Sequence, residues 1–122
     1  MKTRPKILVV EDDPYIAQIY TEILEDQDFD VILAEHGTLA LKLISKHSPE
    51  LIVMDFMLPD YTGDQLAEKI GDVCPFVFVS GVEEHFLRGR EFNGLFLNKP
   101  FSSQDLVKAV NESFQSQNKG QA

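Results

Sequence analysis

Short apolar runs that do not alternate with polar residues constrain this chain more than any other feature. Ile7-Leu8-Val9-Val10, Leu51-Ile52-Val53-Met54 and Phe76-Val77-Phe78-Val79 are apolar throughout, and Leu95-Phe96-Leu97 is a shorter example. Such runs read as strands covered on both faces, which is the environment of a parallel sheet. Phe29 to Ala34 reads as a further strand, second in chain order. Helical patterns lie between the strands. Asp13-Pro14 forms an N-cap with Pro at the first helical position, and Ile16, Ile19, Tyr20, Ile23 and Leu24 recur at helical spacing behind it. Gly37 opens a helix through about Lys46, with Ala40, Leu43 and Ile44 facing inward, and Pro49 stops it. Leu66, Ala67 and Ile70 mark a short helix. Ser102 and Asp105 have capping-box spacing ahead of a last helix, whose inward stripe is Leu106, Val110 and Phe114. Alternation of strands and helices predicts an α/β fold: a doubly wound, five-stranded parallel sheet with helices on both faces.

The chain has 122 residues, the size of one domain, and is read as a single domain over 1–122. The core is expected over about 6–115, with the polar stretch 116–122 a frayed tail or the start of a linker. Acidic residues outnumber basic ones 20 to 11, a formal charge of −9. That balance argues against direct binding of nucleic acid or an anionic membrane, and it suits a cationic partner or a bound cation. No run approaches a membrane span, and the apolar segment after the basic N-terminus is too short for a signal peptide. The expected location is cytoplasmic, which a single cysteine, Cys74, fits.

In a doubly wound sheet, ligands bind beyond the carboxyl ends of the strands. The strand after the N-terminus ends in Glu11-Asp12-Asp13, the third in Asp55, the fourth in Ser80-Gly81 and the fifth in Asn98-Lys99-Pro100. In a parallel sheet these stops share one edge. Glu11, Asp12 and Asp55 would then repel one another and raise one another's pKa. Lys99 or a divalent cation can offset that charge. A few carboxylates with a carbonyl suit Mg²⁺, and Mn²⁺ is the alternative ion. A carboxylate beside such a cation, a lysine and a hydroxyl is equipment for phosphoryl transfer.

These segments resemble a response-regulator receiver domain, the phosphoacceptor half of two-component signalling. The resemblance rests on Ile7 to Pro14, Leu51 to Gly63, Val79-Ser80-Gly81 and Asn98-Lys99-Pro100-Phe101, in the family's order. It implies the flavodoxin-like strand order 2-1-3-4-5. It implies that Asp55 accepts the phosphoryl group and that Glu11 and Asp12 hold Mg²⁺ together with Asp55 and the backbone carbonyl of Met57. Ser80 matches the switch hydroxyl and Lys99 the lysine that contacts the phosphoryl group, with a cis bond to Pro100. Phe96 matches the aromatic that turns inward when the hydroxyl moves. The implied partners are a sensor histidine kinase or histidine phosphotransfer protein and an unidentified downstream protein. Such a chain assists its own phosphorylation and dephosphorylation but turns over no external substrate.

Two spacings, Asp55 to Ser80 and Ser80 to Lys99, are shorter than the family pattern. Val82 to Asn93 is therefore expected to be short, irregular or mobile where the family has its fourth helix. Three other readings compete. A haloacid dehalogenase-like enzyme needs an acid two residues past its nucleophile, where this chain has Met57. A flavin mononucleotide binder needs a hydroxyl-rich phosphate loop where Glu11-Asp12-Asp13 stand. A receiver-like adaptor would bind its partner independently of phosphorylation.

Overall fold

The computed structural model describes residues 4–81 and 94–119, with side chains to residue 115. The expectation for Val82 to Asn93 lies outside these residues. In chain order the elements are β1 (Lys6–Val10), α1 (Pro14–Glu25), β2 (Asp30–Ala34), α2 (Gly37–His47), β3 (Leu51–Asp55), α3 (Gly63–Ile70), β4 (Phe76–Ser80), β5 (Gly94–Asn98) and α4 (Ser103–Lys119). The strands form one parallel sheet in the order β2-β1-β3-β4-β5, as expected. Strand direction is reinforced by register: Val10 pairs with both Ala34 and Met54, and Asp55 pairs with Val79. The strand ends that carry the polar stops therefore share one edge.

Because β-strand side chains alternate, each run feeds two cores. Ile7, Val9, Leu51, Val53, Val77 and Val79 pack against Tyr20 and Leu24 of α1 and Leu106, Ala109 and Val110 of α4. Leu8, Val10, Ile52, Met54, Phe76 and Phe78 pack against Ala40 of α2 and Leu66 and Ala67 of α3. Burying an aliphatic side chain of this kind contributes about 1.5–3 kcal/mol relative to exposure. The strands are thus held from both sides.

Local chemistry sets the helix starts. Asp13 Oδ1 accepts from the backbone N–H groups of Tyr15 at 2.9 Å and Ile16 at 3.3 Å, and Pro14 follows at a position needing no donor. The Ser102–Asp105 capping box forms in both directions: Ser102 N–H donates to Asp105 Oδ2 and Asp105 N–H to Ser102 Oγ, each at 3.1 Å. At the end of α2, Ser48 takes a left-handed conformation (φ 50°) just before Pro49.

Some details differ from the sequence reading. Ile19 is 53% exposed although it shares the apolar spacing of α1; the buried stripe runs through Ala17, Tyr20 and Leu24 instead. Phe29 precedes β2, and its ring stacks on Phe114 at 5.7 Å. The last helix runs to Lys119, through residues read as tail, because Gln115 to Lys119 contain neither Gly nor Pro. The expected short third helix is the eight-residue α3.

Candidate functional site

Strand order reverses between β1 and β3, so a crevice opens beyond their carboxyl ends. Glu11 and Asp12 follow β1, and Asp55 ends β3. Each offers a carboxylate oxygen, and these oxygens lie within 4.8 Å of one another. Glu11 is buried, Asp55 half-buried and Asp12 exposed, so the cluster opens to solvent on one side. Lys99, after β5, completes the rim: its Nζ stands 3.6 Å from Asp55 Oδ2 and 4.0 Å from Glu11 Oε1. Backbone bonds hold the contributing segments. Glu11 N–H donates to Ala34 O, Phe56 N–H to Val79 O and Lys99 N–H to Ser80 O, at 2.9 to 3.0 Å.

The charges are unevenly compensated. Glu11 Oε2 accepts from the backbone N–H of Asp13 at 3.1 Å. Glu11 Oε1 is buried with no hydrogen-bond partner among the described residues. Burial pushes the Glu11 carboxyl up to about 7; its bond from Asp13 and the charge of Lys99 oppose the rise, and Asp12 and Asp55 add to it. Burial also raises the Asp55 carboxyl, with Asp12 contributing, while Lys99 and the backbone N–H of Met57 pull it down. Tyr20, under the same cluster, has its phenol raised by burial and then by the charges of Glu11 and Asp55. A buried oxygen without a donor, beside two further carboxylates, is the environment a hard cation satisfies. The residues present therefore fit Mg²⁺.

The other expected site residues lie on β4, on β5 and in the segment after β3. Ser80 is the last residue of β4 and is buried. Phe96 is half-buried on β5, opposite Phe78 in register and stacked on it at 5.1 Å. The Lys99–Pro100 peptide bond is cis. Met57 has a 58% exposed side chain just past Asp55. It sits in a small hairpin: Gly63 N–H donates to Phe56 O at 2.6 Å, Leu58 N–H donates to Tyr61 O at 3.0 Å, and Met57 pairs with Thr62 between those bonds.

Sequence reasoning missed one constellation. Asp60 accepts from Gly37 N–H at 2.8 Å, Thr38 N–H at 2.9 Å and the Thr38 hydroxyl at 2.8 Å. His36 is half-exposed; its Nδ1 accepts from Leu39 N–H at 3.1 Å, caps α2 and lies 3.7 Å from Asp60 Oδ2. The available signal was the absence of Ser, Thr, Asp or Asn before Gly37, which left the start of α2 needing acceptors from elsewhere.

Comparison with known proteins agrees with this geometry. Residues 7–111 match the family described as the response regulator receiver domain. The chain is 33% identical over 115 residues to the hybrid signal transduction histidine kinase D of Dictyostelium discoideum, covering 88% of this chain and 7% of that protein. It is 33% identical over 114 residues to the alkaline phosphatase synthesis transcriptional regulatory protein PhoP of Bacillus subtilis, covering 86% of this chain and 48% of that protein. The chain thus spans about half the length of such relatives, or much less. Among solved structures, the non-phosphorylated HemR receiver domain from Leptospira biflexa is 31% identical with a TM-score of 0.79, covering 90% of this chain and 94% of that one. Among the described residues no helix is long and apolar enough to cross a membrane. Fold, strand-edge residues and relatives converge, and the chain belongs to the response regulator receiver domains of two-component systems.

Proposed function

We propose that Asp55 accepts a phosphoryl group from a phosphohistidine on a sensor histidine kinase or histidine phosphotransfer protein. Phosphorylation then changes the face this domain offers to a downstream protein. The observation that carries this reading is the buried, unpartnered Glu11 Oε1 beside Asp12 and Asp55, with Lys99 across from them.

Glu11, Asp12, Asp55 and the Met57 carbonyl would hold Mg²⁺. When bound, the ion supplies positive charge against the phosphoryl oxygens. An Asp55 carboxylate oxygen attacks phosphorus in line; the P–O bond forms as the P–N bond to the donor imidazole breaks, and the imidazole leaves with the electron pair and takes up a proton. Lys99 is placed to pair with the charge that develops on the transferred group. Ser80, at the end of the neighbouring strand, donates a hydrogen bond from its hydroxyl to an oxygen of the new acyl phosphate. Phe96 moves into the space that Ser80 leaves. Phe lacks the hydroxyl of a tyrosine, so its two positions differ in burial alone. The outcome is a shift between two populations, biased by bonds that exist only after phosphorylation. Water attack on the acyl phosphate resets the domain.

Intact mass after incubation with Mg²⁺ and phosphoramidate or acetyl phosphate tests the reading. The expected result is the gain of one phosphoryl group, absent in Asp55→Asn. No gain with any donor, together with retained partner binding, would favour an adaptor that works without phosphorylation.

A further inference from the structure

The hairpin after Asp55 has a geometry whose consequence reaches the site. Met57 and Thr62 face each other as a pair whose flanking bonds are made by Phe56 with Gly63 and by Leu58 with Tyr61. In such a pair the central residues use neither their N–H nor their C=O for the rung. The peptide groups of Met57 are therefore left to point out of the hairpin. Its N–H already acts on Asp55, whose carboxyl it holds lower. The direction of the Met57 carbonyl is set by the orientation of the whole hairpin.

The hairpin tip is fastened to a different part of the chain. Leu58-Pro59-Asp60-Tyr61 forms the tip beyond the last rung, Leu58 N–H to Tyr61 O, with Asp60 near its apex. The Asp60 carboxylate spans to α2 and accepts three hydrogen bonds there, from Gly37 N–H, Thr38 N–H and Thr38 Oγ1. A carboxylate at a helix N-terminus is also favoured by the helix dipole. Beside it, the Tyr61 ring lies so close to Gly37 that a Cβ at that position would collide with it. Lys69 of α3 sits over the other part of this ring, 5.7 Å from its centroid. The tip is thus held by α2 on one side and α3 on the other.

We propose that Asp60 is a positioning residue for the cation site: by tying the hairpin tip to the N-terminus of α2, it aims the Met57 carbonyl at the crevice of Glu11, Asp12 and Asp55. The inference rests on the cation reading given above. A group that orients a metal ligand from behind is worth roughly tenfold or more in metal affinity. Asp60 lies outside the ligand set and touches neither the cation nor the phosphoryl group. Its effect passes entirely through the backbone of residues 57–60.

The test compares Asp60→Ala with His36→Ala in the full chain. His36→Ala removes the cap that α2 makes with its own flank, together with the 3.7 Å approach of His36 Nδ1 to Asp60 Oδ2, and leaves the three hydrogen bonds of Asp60 in place. Magnesium affinity of the unphosphorylated protein is read by calorimetry, and amide hydrogen exchange of residues 57–63 is read alongside. Asp60→Ala is expected to weaken Mg²⁺ binding by roughly tenfold and to speed exchange in the hairpin. His36→Ala is expected to lower thermal stability while leaving Mg²⁺ affinity unchanged. Asp60→Asn keeps one oxygen acceptor and restores most of the affinity. If Asp60→Ala does not fold, Gly37→Ala, whose Cβ would collide with the Tyr61 ring and crowd Asp60 Oδ1, disturbs the same tie and is expected to weaken Mg²⁺ binding in the same direction. Mg²⁺ affinity unchanged from wild type in Asp60→Ala, or in Gly37→Ala where that is the variant that folds, would overturn the inference and leave the cation reading standing. A wild-type protein that takes up no Mg²⁺ would overturn both.

Discussion

Glu11 Oε1 and Lys99 Nζ stand 4.0 Å apart, within reach of charge attraction and beyond hydrogen-bond distance. The carboxylate oxygen is buried away from bulk solvent and has no hydrogen-bond partner among the described residues. The attraction of Lys99 is shared with Asp55, which it approaches more closely. One cation side chain therefore faces two buried or half-buried acids and satisfies neither completely.

A pH dependence follows from that shortfall. Burial raises the Glu11 carboxyl from 4.5 to about 7 in the metal-free fold. The folded state then keeps a proton that the unfolded chain loses above 4.5. This contribution to stability is complete below 4.5 and is lost as pH rises through about 7. Added Mg²⁺ must displace the proton, so its apparent affinity rises with pH until the group is ionised, by up to roughly tenfold per pH unit. Calorimetry in buffers of different ionisation enthalpy is expected to show proton release on Mg²⁺ addition below about pH 7, fading above it.

Lys99→Met separates cation binding from phosphoryl transfer. Without the ammonium, no cationic side chain among the described residues pairs with Asp55 and Glu11 in competition with a metal ion, and Mg²⁺ affinity is expected to hold or rise. The rate of phosphorylation from phosphoramidate is expected to fall by on the order of a hundredfold, the usual scale for losing one preorganised electrostatic contact. Calorimetry and time-resolved intact mass read the two effects separately.

Met57 presents an exposed apolar side chain beside the proposed acyl phosphate. It offers neither donor nor acceptor to a water approaching Asp55. Slow loss of the phosphoryl group is expected, and Met57→Asn is expected to shorten the half-life by roughly tenfold by orienting that water. A half-life no shorter in the variant counts against this assignment.

Ser80→Ala addresses the switch. Phe78 and Phe96 stack at 5.1 Å, so a change in Phe96 is visible in the ring resonances of both. The variant is expected to accept phosphoryl groups yet leave the Phe96 resonances near their unphosphorylated positions. Wild-type protein is expected to shift them on phosphorylation.

Much of this architecture is legible in the residues alone, for a definite reason. The strands are covered on both faces, so Ile7 to Val10 and Phe76 to Val79 carry no polar residue until they reach the edge where chemistry occurs. Where the run stops, the site begins, and Glu11, Asp55, Ser80 and Lys99 follow directly. The link from Asp60 to Gly37 and Thr38 leaves no such trace. It joins positions 22 and 23 residues apart through a turn whose orientation depends on how α2 and α3 pack. The same holds for Glu11 Oε1, whose lack of a partner depends on how far Lys99 reaches. Periodicity likewise marks Ile19 as inward, while the packing leaves it half-exposed.

The most direct test of the account is the chemical identity of residue 55 after phosphorylation. Borohydride reduction of an aspartyl phosphate yields homoserine, which peptide mass analysis locates. Protein treated with phosphoramidate and Mg²⁺ is expected to carry homoserine at position 55, and at no other acidic position, with none formed when the metal is chelated. Homoserine at position 12, the corresponding reduced glutamate (5-hydroxynorvaline) at position 11, or the absence of homoserine from position 55 after full phosphorylation, would contradict it.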